Sequence, residues 1–379
     1  MSIPNRNVIL TGSTGIVGSH VLYELLHERL SGTCTGKIIL QVRDRDFATA
    51  EERVVNFITH DYTPAFLKQY SLEQMMEWID VLNISFESED LPNKLEPYKK
   101  MGDVYVIHVA ATTDLRSTEK AYNLNVRVNY EGTLNLFESC KSFIKRFTYI
   151  STVYASGVQQ GTIPDEYSEM SDFTFRNPYE EIKQKTERKL TVLCNEVGID
   201  LQILRPGVVL GRQMDEPKYY VPKYNVIYAF AGFFYKLLAQ RIDVPINVVV
   251  HPNVHMHMIS VDYVAKTVST VYAMPDVPEL NIIPAKGLGT KHIAMLLDVI
   301  GYKNYKFQSE IAPPRNEVEA MYQKKVAPSF GTYLMEDEYY FDNKRLLEIM
   351  GANSIPDLEA DYADMIKFAK DHAFKGLED

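Results

Sequence analysis

Apolar and polar positions follow two alternating periods through the first half of the chain. Val8-Ile9-Leu10 is a short unbroken apolar run, the mark of a strand buried on both faces, and Val21-Leu22-Tyr23-Glu24-Leu25-Leu26 behind it carries apolar residues at helical intervals. The succession then repeats. Lys37–Val42 predicts a second strand, Ala48–His60 a helix, Ile79–Phe86 a third strand and Val104–Val109 a fourth. A long helix is expected over Tyr122–Ser142, a fifth strand at Arg146–Ile150 and a sixth at Leu201–Leu204. Residues 61–77 read as an aromatic and Met-rich insertion. Strands alternating with helices in this way predict an α/β chain built on a doubly wound parallel sheet, with its ligand at the carboxyl ends of the strands.

From Gly211 the rhythm breaks. Asp215–Pro222 is loop-like, Tyr224–Leu238 reads as an apolar, aromatic helix, and Val248–Ile259 as a strand. Val261–Ala273 is a helix returning to the sheet and Leu280–Ile283 a further strand, after which Pro313-Pro314 and Pro328 interrupt short helices. The expected organisation is a sheet domain of residues 1–210 plus 251–283. A smaller, interleaved substrate-binding lobe takes 211–250 plus 284–379. Repeats and low-complexity segments are absent.

Composition narrows the classes. The 379 residues, 46% of them hydrophobic, support a substantial core, and a net charge of −10 with acids and bases interspersed argues against a nucleic-acid surface. Cys34, Cys140 and Cys194 are isolated and odd in number, which excludes a disulfide framework and fits a reducing compartment. The first strand begins within ten residues of Met1, leaving no room for a signal peptide, and Val226–Ala239 is too short to span a bilayer. The expectation is a soluble cytoplasmic protein without a transmembrane segment, its oligomeric state open.

Candidate chemistry begins at the first strand. Gly12, Gly15 and Gly18 follow it in the spacing G-x-x-G-x-x-G and open the first helix. Gly12 allows a tight turn, Gly15 lets the backbone approach a pyrophosphate, and Gly18 lets helix and sheet pack closely, so the phosphates meet the helix N-terminus. A second signal is Asn177-Pro178-Tyr179-Glu180-Glu181-Ile182-Lys183. Asn177 can cap a helix whose first position suits Pro178, and Tyr179 and Lys183 then share one face. An ammonium beside a phenol lowers its pKa toward neutrality, so Tyr179 can exchange a proton with a carbonyl oxygen. Thr152, then Ser151, at the end of the fifth strand are the hydroxyls expected to hold that oxygen; the plainer alternative is that they cap a turn. His251, His255 and His257 lack a carboxylate or cysteine companion at ligand spacing, so no metal is expected.

In order along the chain, Thr11-Gly12-x-x-Gly15-x-x-Gly18, His108-Val109-Ala110-Ala111, Asn129-Tyr130-Glu131-Gly132-Thr133, Tyr179-x-x-x-Lys183, Arg205-Pro206-Gly207 and Ile259–Ala265 resemble the extended short-chain dehydrogenase/reductase superfamily, with its Rossmann-type fold. Leu40–Asp44 with Ala50–Arg53, Ala110–Leu115 and Tyr149–Tyr154 are most similar to its fatty acyl-CoA reductase and thioester reductase branch. One departure is Ser85–Asp90, where an Asp-containing turn near the adenine is usual. The resemblance implies catalytic roles for Tyr179, Lys183, Thr152 and Ser151, with Asn129 supporting a water-linked proton path. It implies cofactor contacts from Gly12, Ser13, Thr14, Gly15, Ile16, Val17, Gly18, Val109, Ala110, Ala111, Tyr179, Lys183, Pro206, Gly207 and Val208.

Cofactor choice turns on the end of the second strand, where an acid binds a ribose hydroxyl and an arginine a 2′-phosphate. Arg43 and Arg45 flank Asp44 there, which favours NADP(H) over NAD. The leading expectation is an NADPH-dependent reductase of an acyl thioester carried by coenzyme A or an acyl carrier protein, yielding an aldehyde or alcohol. Sugar-nucleotide epimerisation or dehydration, or ketone reduction, is the alternative on the same site. A non-catalytic NADP-sensing regulator is the third class.

Overall fold

In this computed structural model, which describes residues 3–167, 173–335 and 339–377, the first apolar runs become strands of one sheet. The strands are β1 (Asn7–Thr11), β2 (Ile38–Val42), β3 (Ile79–Asn83), β4 (Val104–His108), β5 (Arg146–Ile150), β6 (Gly161–Ile163) and β7 (Asp200–Pro206). They continue with β8 (Val208–Leu210), β9 (Ile246–Val249), β10 (Met258–Ser260), β11 (Glu279–Ile282), β12 (Tyr305–Gln308) and β13 (Tyr339–Phe341). Seven form the main sheet in the order β11-β7-β5-β4-β1-β2-β3, with every pairing parallel. The order reverses between β1 and β4, where Leu10 pairs with Ile107 and Thr11 with His108. A crevice at the carboxyl ends of these two strands is the switch point of a doubly wound, Rossmann-type sheet.

All residues of β1, β2, β4 and β5 are buried, because helices cover both faces. Strand alternation sends Val8, Leu10, Ile38 and Leu40 to one face, against Val21 and Leu25 of the helix Ile16–Leu30 and Val264 and Val268 of the helix Val261–Val271. Ile9, Ile39, Val106 and Phe147 point the other way, onto Leu136, Phe137 and Leu190. A second core gathers Phe230 and Phe234 from the helix Ile227–Ala239, Leu296 and Leu297 from Thr290–Ile300, and Tyr362 and Met365 from Leu358–Asp371. It also takes in Met256 and Met258, so this apolar packing extends into the segment 251–283 expected to belong to the sheet domain.

Three expected elements differ. The third strand ends at Asn83, and residues 84–87 turn toward the crevice. The long helix expected over Tyr122–Ser142 is three pieces: α-helix Glu119–Asn125, π-helical Val126–Glu131 and α-helix Gly132–Cys140. The wider turn leaves the Asn129 carbonyl to accept hydroxyls from Thr133 (2.8 Å) and Thr186 (3.2 Å), tying this helix to Pro178–Val197. The apolar run Val248–Ile259 is two strands in different sheets, since Pro252 carries no N–H and the chain turns there: β9 pairs with β12 and β10 with β8. Among the described residues, no helix is long and apolar enough to cross a membrane.

Candidate active site

The glycine loop forms one wall of a cavity of about 560 Å³ at the switch point. Gly12 turns the chain off β1 with φ +71°, and a Cβ there would lie 2.7 Å from the Ala110 nitrogen, so only glycine lets the ends of β1 and β4 meet. A Cβ on Gly18 would run into the Gly12 carbonyl, which explains the close helix–sheet approach. The helix Ile16–Leu30 starts behind Gly15 with no side-chain cap, and its first N–H groups therefore open toward the cavity lined by Gly12, Thr14, Gly15, Ile16 and Val17. Thr11 braces the loop: its Oγ1 accepts the Val109 and Ala110 N–H groups (3.2 and 3.1 Å) and bonds His108 Nδ1 (2.7 Å). His108 is buried, and desolvation pushes its pKa down to about 3.

Opposite the loop stands the helix Pro178–Val197. Asn177 caps it by accepting the Glu180 N–H (3.1 Å), with Pro178 in the first turn. Tyr179 and Lys183 both line the cavity. Lys183 Nζ donates to the Ile150 carbonyl at the end of β5 (2.8 Å) and lies 4.5 Å from the centre of the Tyr149 ring. The electrostatics differ from the sequence expectation. Desolvation raises the Tyr179 phenol above its ordinary value, with Glu180 adding to the rise, while desolvation brings Lys183 down to about 7 against a smaller upward pull from Glu187. Burial dominates at both groups, so Tyr179 is a neutral donor in this state and the proton that moves near neutrality belongs to Lys183.

Ser151 and Thr152 also line the cavity. Thr152 Oγ1 accepts the Tyr154 N–H (3.3 Å), which caps a turn and leaves its own proton free to donate. Ser151 Oγ, on the cavity wall, is buried without a hydrogen-bond partner, as is Ser13 Oγ in the loop behind it, and both are short of a polar contact. Together with the uncapped helix N-terminus, they fit a dinucleotide.

Most of the expected cofactor contacts converge here: Val109, Ala110, Ala111, Pro206, Gly207 and Val208 are on the wall with Arg43 and Arg45. Ser13 and Gly18 sit in the loop and helix behind it, and Asn129 is held back too. Asn129 is 1% exposed; its Oδ1 accepts the Thr112 N–H (2.8 Å), and its Nδ2 donates to the Thr112 carbonyl (2.9 Å) and Asn125 Oδ1 (2.8 Å). It fixes the loop carrying Ala111, Thr112 and Thr113, which do line the cavity.

At the β2 end, Asp44 turns away from the cavity: its Oδ1 accepts the Ala50 N–H (2.7 Å) and Asn83 Nδ2 (2.9 Å). The buried Arg53, noted in the sequence only within the Ala50–Arg53 resemblance and given no cofactor role there, reaches in beside Arg43 and Arg45. It donates to the Arg43 carbonyl (2.7 Å) and Thr14 Oγ1 (2.9 Å), joining β2 to the glycine loop. Its signal was the capping box Thr49–Glu52, which sets the helix that carries it. Ser85, Phe86 and Glu87 supply the wall where the acidic turn was missing. Tyr154, Lys223, Asn225 and Tyr333 also line the cavity; Tyr333 lay beyond any recognisable motif. His257 is buried between the rings of Tyr339 and Phe341, at 4.9 and 4.8 Å. Among the described residues, no group of three or more His, Cys, Asp or Glu could hold a metal ion.

Comparison with known proteins agrees with this geometry. Similar curated proteins include a UDP-glucuronate 4-epimerase of Thermodesulfobacterium geofontis, 27% identical over 208 residues (54% of this chain, 56% of that protein). A dTDP-D-glucose 4,6-dehydratase of Dictyostelium discoideum is 25% identical over 228 residues (58% and 47%). The chain spans about half the length of the curated relatives it matches. Among solved structures, UDP-glucuronic acid 4-epimerase from Bacillus cereus in complex with NAD has the same fold, with a TM-score of 0.61, 16% identity and coverage of 97% and 96% of the two chains. So has a dTDP-glucose 4,6-dehydratase from Streptomyces venezuelae (TM-score 0.64, 15% identity, 97% of each chain). The model of the male sterility protein family matches residues 10–268, and the chain belongs to that NAD-binding family within the extended short-chain dehydrogenase/reductase superfamily.

Proposed function

We propose that this protein is an NADP(H)-dependent reductase that acts on the carbonyl of an acyl thioester. The observation that carries this reading is the cavity wall beyond Tyr179. Leu115, Tyr154, Val209, Val226 and Tyr333 give it an apolar stretch beside the polar Lys223 and Asn225, and the only acid among the described lining residues, Glu87, is paired with Arg127 at 3.2 Å. An acyl chain would find its partners on those apolar side chains. Arg43, Arg45 and Arg53 at the other end, with Asp44 turned away, favour a 2′-phosphate.

The dinucleotide, when bound, supplies the hydride. Thr152 donates its free proton to the substrate oxygen and orients it. Tyr179 hydrogen-bonds the same oxygen and yields its proton as negative charge develops there. Lys183, anchored on the Ile150 carbonyl, brings positive charge to the cavity wall that also carries the phenol.

A second reading, conversion of a sugar nucleotide, is favoured by the activities of the similar epimerases and dehydratases. The two separate in one experiment: oxidation of NADPH and of NADH against acyl-CoA thioesters, aldehydes and nucleotide sugars, with products identified by mass. The expected result is stoichiometric NADPH consumption with a thioester and a preference over NADH that Arg43→Ala narrows. Sugar isomerisation without net NADPH consumption would overturn the proposal.

A further inference from the structure

Tyr333 reaches the cavity from well beyond the stretch matched by the family model, which ends at residue 268. It sits on a short 3-10 turn, Gly331–Leu334, and is tied to the start of the tyrosine helix. Its hydroxyl accepts from Asn177 Nδ2 (2.8 Å), the residue that caps that helix, and hydrogen-bonds the buried Glu180 carboxylate in the first turn. Its ring meets Tyr154 edge-on at 4.8 Å, and the Arg176 guanidinium lies 5.5 Å from it while pairing with Glu180 at 3.2 Å. These bonds hold the hydroxyl while Tyr154 and Arg176 pack the ring, so Tyr333 is a fixed part of the wall that Tyr179 also lines.

Resting on the thioester reading, we propose that Tyr333 is a specificity-determining residue: with Tyr154 it walls the chamber beyond Tyr179 and limits how far an acyl chain extends there. A fixed aromatic ring sets chamber length more sharply than a mobile aliphatic side chain, and the polar anchor keeps the limit in register with the catalytic helix. The C-terminal part of the chain thereby selects the substrate for chemistry supplied by the sheet domain.

Two measurements test this. Steady-state kinetics over acyl-CoA thioesters of increasing chain length should show the Tyr333→Ala optimum moving to longer chains. The ratio of kcat/KM for long over short chains should rise by about tenfold or more, with NADPH affinity retained. Tyr333→Leu, which keeps bulk, is the companion variant if the alanine form does not fold, and should shift the optimum less. An unchanged chain-length profile with normal NADPH binding overturns the proposal. Independently of turnover, Tyr333→Cys can be labelled with methyl methanethiosulfonate, because Cys34, Cys140 and Cys194 are buried. Decanoyl-CoA, added to the NADP⁺ complex at ten times its Kd, should slow labelling by about tenfold, with UDP-glucose as the comparison ligand. If NADP⁺ alone protects fully, or nothing protects, Tyr333 does not face the substrate and the proposal falls. If the wild type reduces no thioester while UDP-glucose protects, the thioester reading fails and the substrate-facing place of Tyr333 stands.

Discussion

Tyr179→Phe is expected to lower kcat by about 10²–10⁴-fold while leaving the Kd for NADPH essentially unchanged. The substitution keeps the ring that lines the cavity and removes only the hydroxyl. Nothing in the glycine loop or the arginine cluster depends on that hydroxyl, so cofactor binding has no reason to weaken. Turnover does, because Thr152 alone would face the developing oxyanion, and a hydroxyl that is also capping a turn has one proton to give and no ready source to replace it. NADPH fluorescence titration separates the two effects from steady-state rates. A phenylalanine form with near-normal kcat would refute the role of Tyr179, and with it the proton route proposed for this site.

The same pair predicts a pH dependence whose sign differs from habit. Desolvation has brought Lys183 from the ordinary lysine range to about 7, so its charge is lost as pH rises through neutrality rather than near 10. Tyr179 is raised instead and keeps its proton across that range. Reduction needs the ammonium to stabilise the phenolate left when the proton transfers. It follows that kcat/KM for reduction falls as pH rises through about 7, the limb reporting the free enzyme. Lys183→Met should show a low rate with no limb at that position. A rate that instead climbs with pH through neutrality in the reductive direction would exclude Lys183 as the titrating group.

How much of this was legible beforehand differs by element. The strands of the main sheet could be read because a parallel strand buried on both faces must be an apolar run, and the glycines because Gly12 and Gly18 meet backbone at distances no Cβ tolerates. The capping of Pro178–Val197 was readable for the same local reason. What resisted was non-local. The π-helical turn at Asn129 exists because its carbonyl serves hydroxyls from Thr133 and Thr186, and Thr186 lies on a helix far along the chain. Val248–Ile259 looked continuous because apolarity does not say which sheet a strand joins. The phenol's pKa was inferred from one neighbour, whereas burial, a property of the whole fold, reverses its direction. Arg53 rides on a helix whose capping box was legible but meets Thr14 and Arg43 only through the fold, and Tyr333 reaches the cavity through contacts with Asn177 and Glu180 that no spacing in the sequence announces.

Arg205→Leu is expected to destabilise the fold by about 3–5 kcal/mol at pH 7, the largest loss foreseen for a single residue outside the cavity. Arg205 is fully buried on β7, and its Nε and Nη2 donate to the two oxygens of Glu187 at 3.0 and 2.7 Å. Nη2 also meets Glu279 at 2.5 Å, Nη1 donates to the Asp165 carbonyl at 2.7 Å, and the guanidinium stacks 3.9 Å from the Tyr167 ring. Leucine fills part of the volume but strips the wholly buried Glu187 of both guanidinium hydrogen bonds, leaving only Lys183, one helical turn back, to face it. Urea denaturation at pH 7 checks the size, and adding Glu187→Leu should recover part of the loss by removing the buried carboxylate. The consequence reaches the site through register. Leu204, the neighbour of Arg205, pairs with Ile150, whose carbonyl anchors Lys183, and Glu187 lies one helical turn beyond that lysine. A variant that unfolds no more easily than wild type would mean that the Arg205–Glu187 pair adds nothing net to the fold and that β7 and the tyrosine helix are not held together through it.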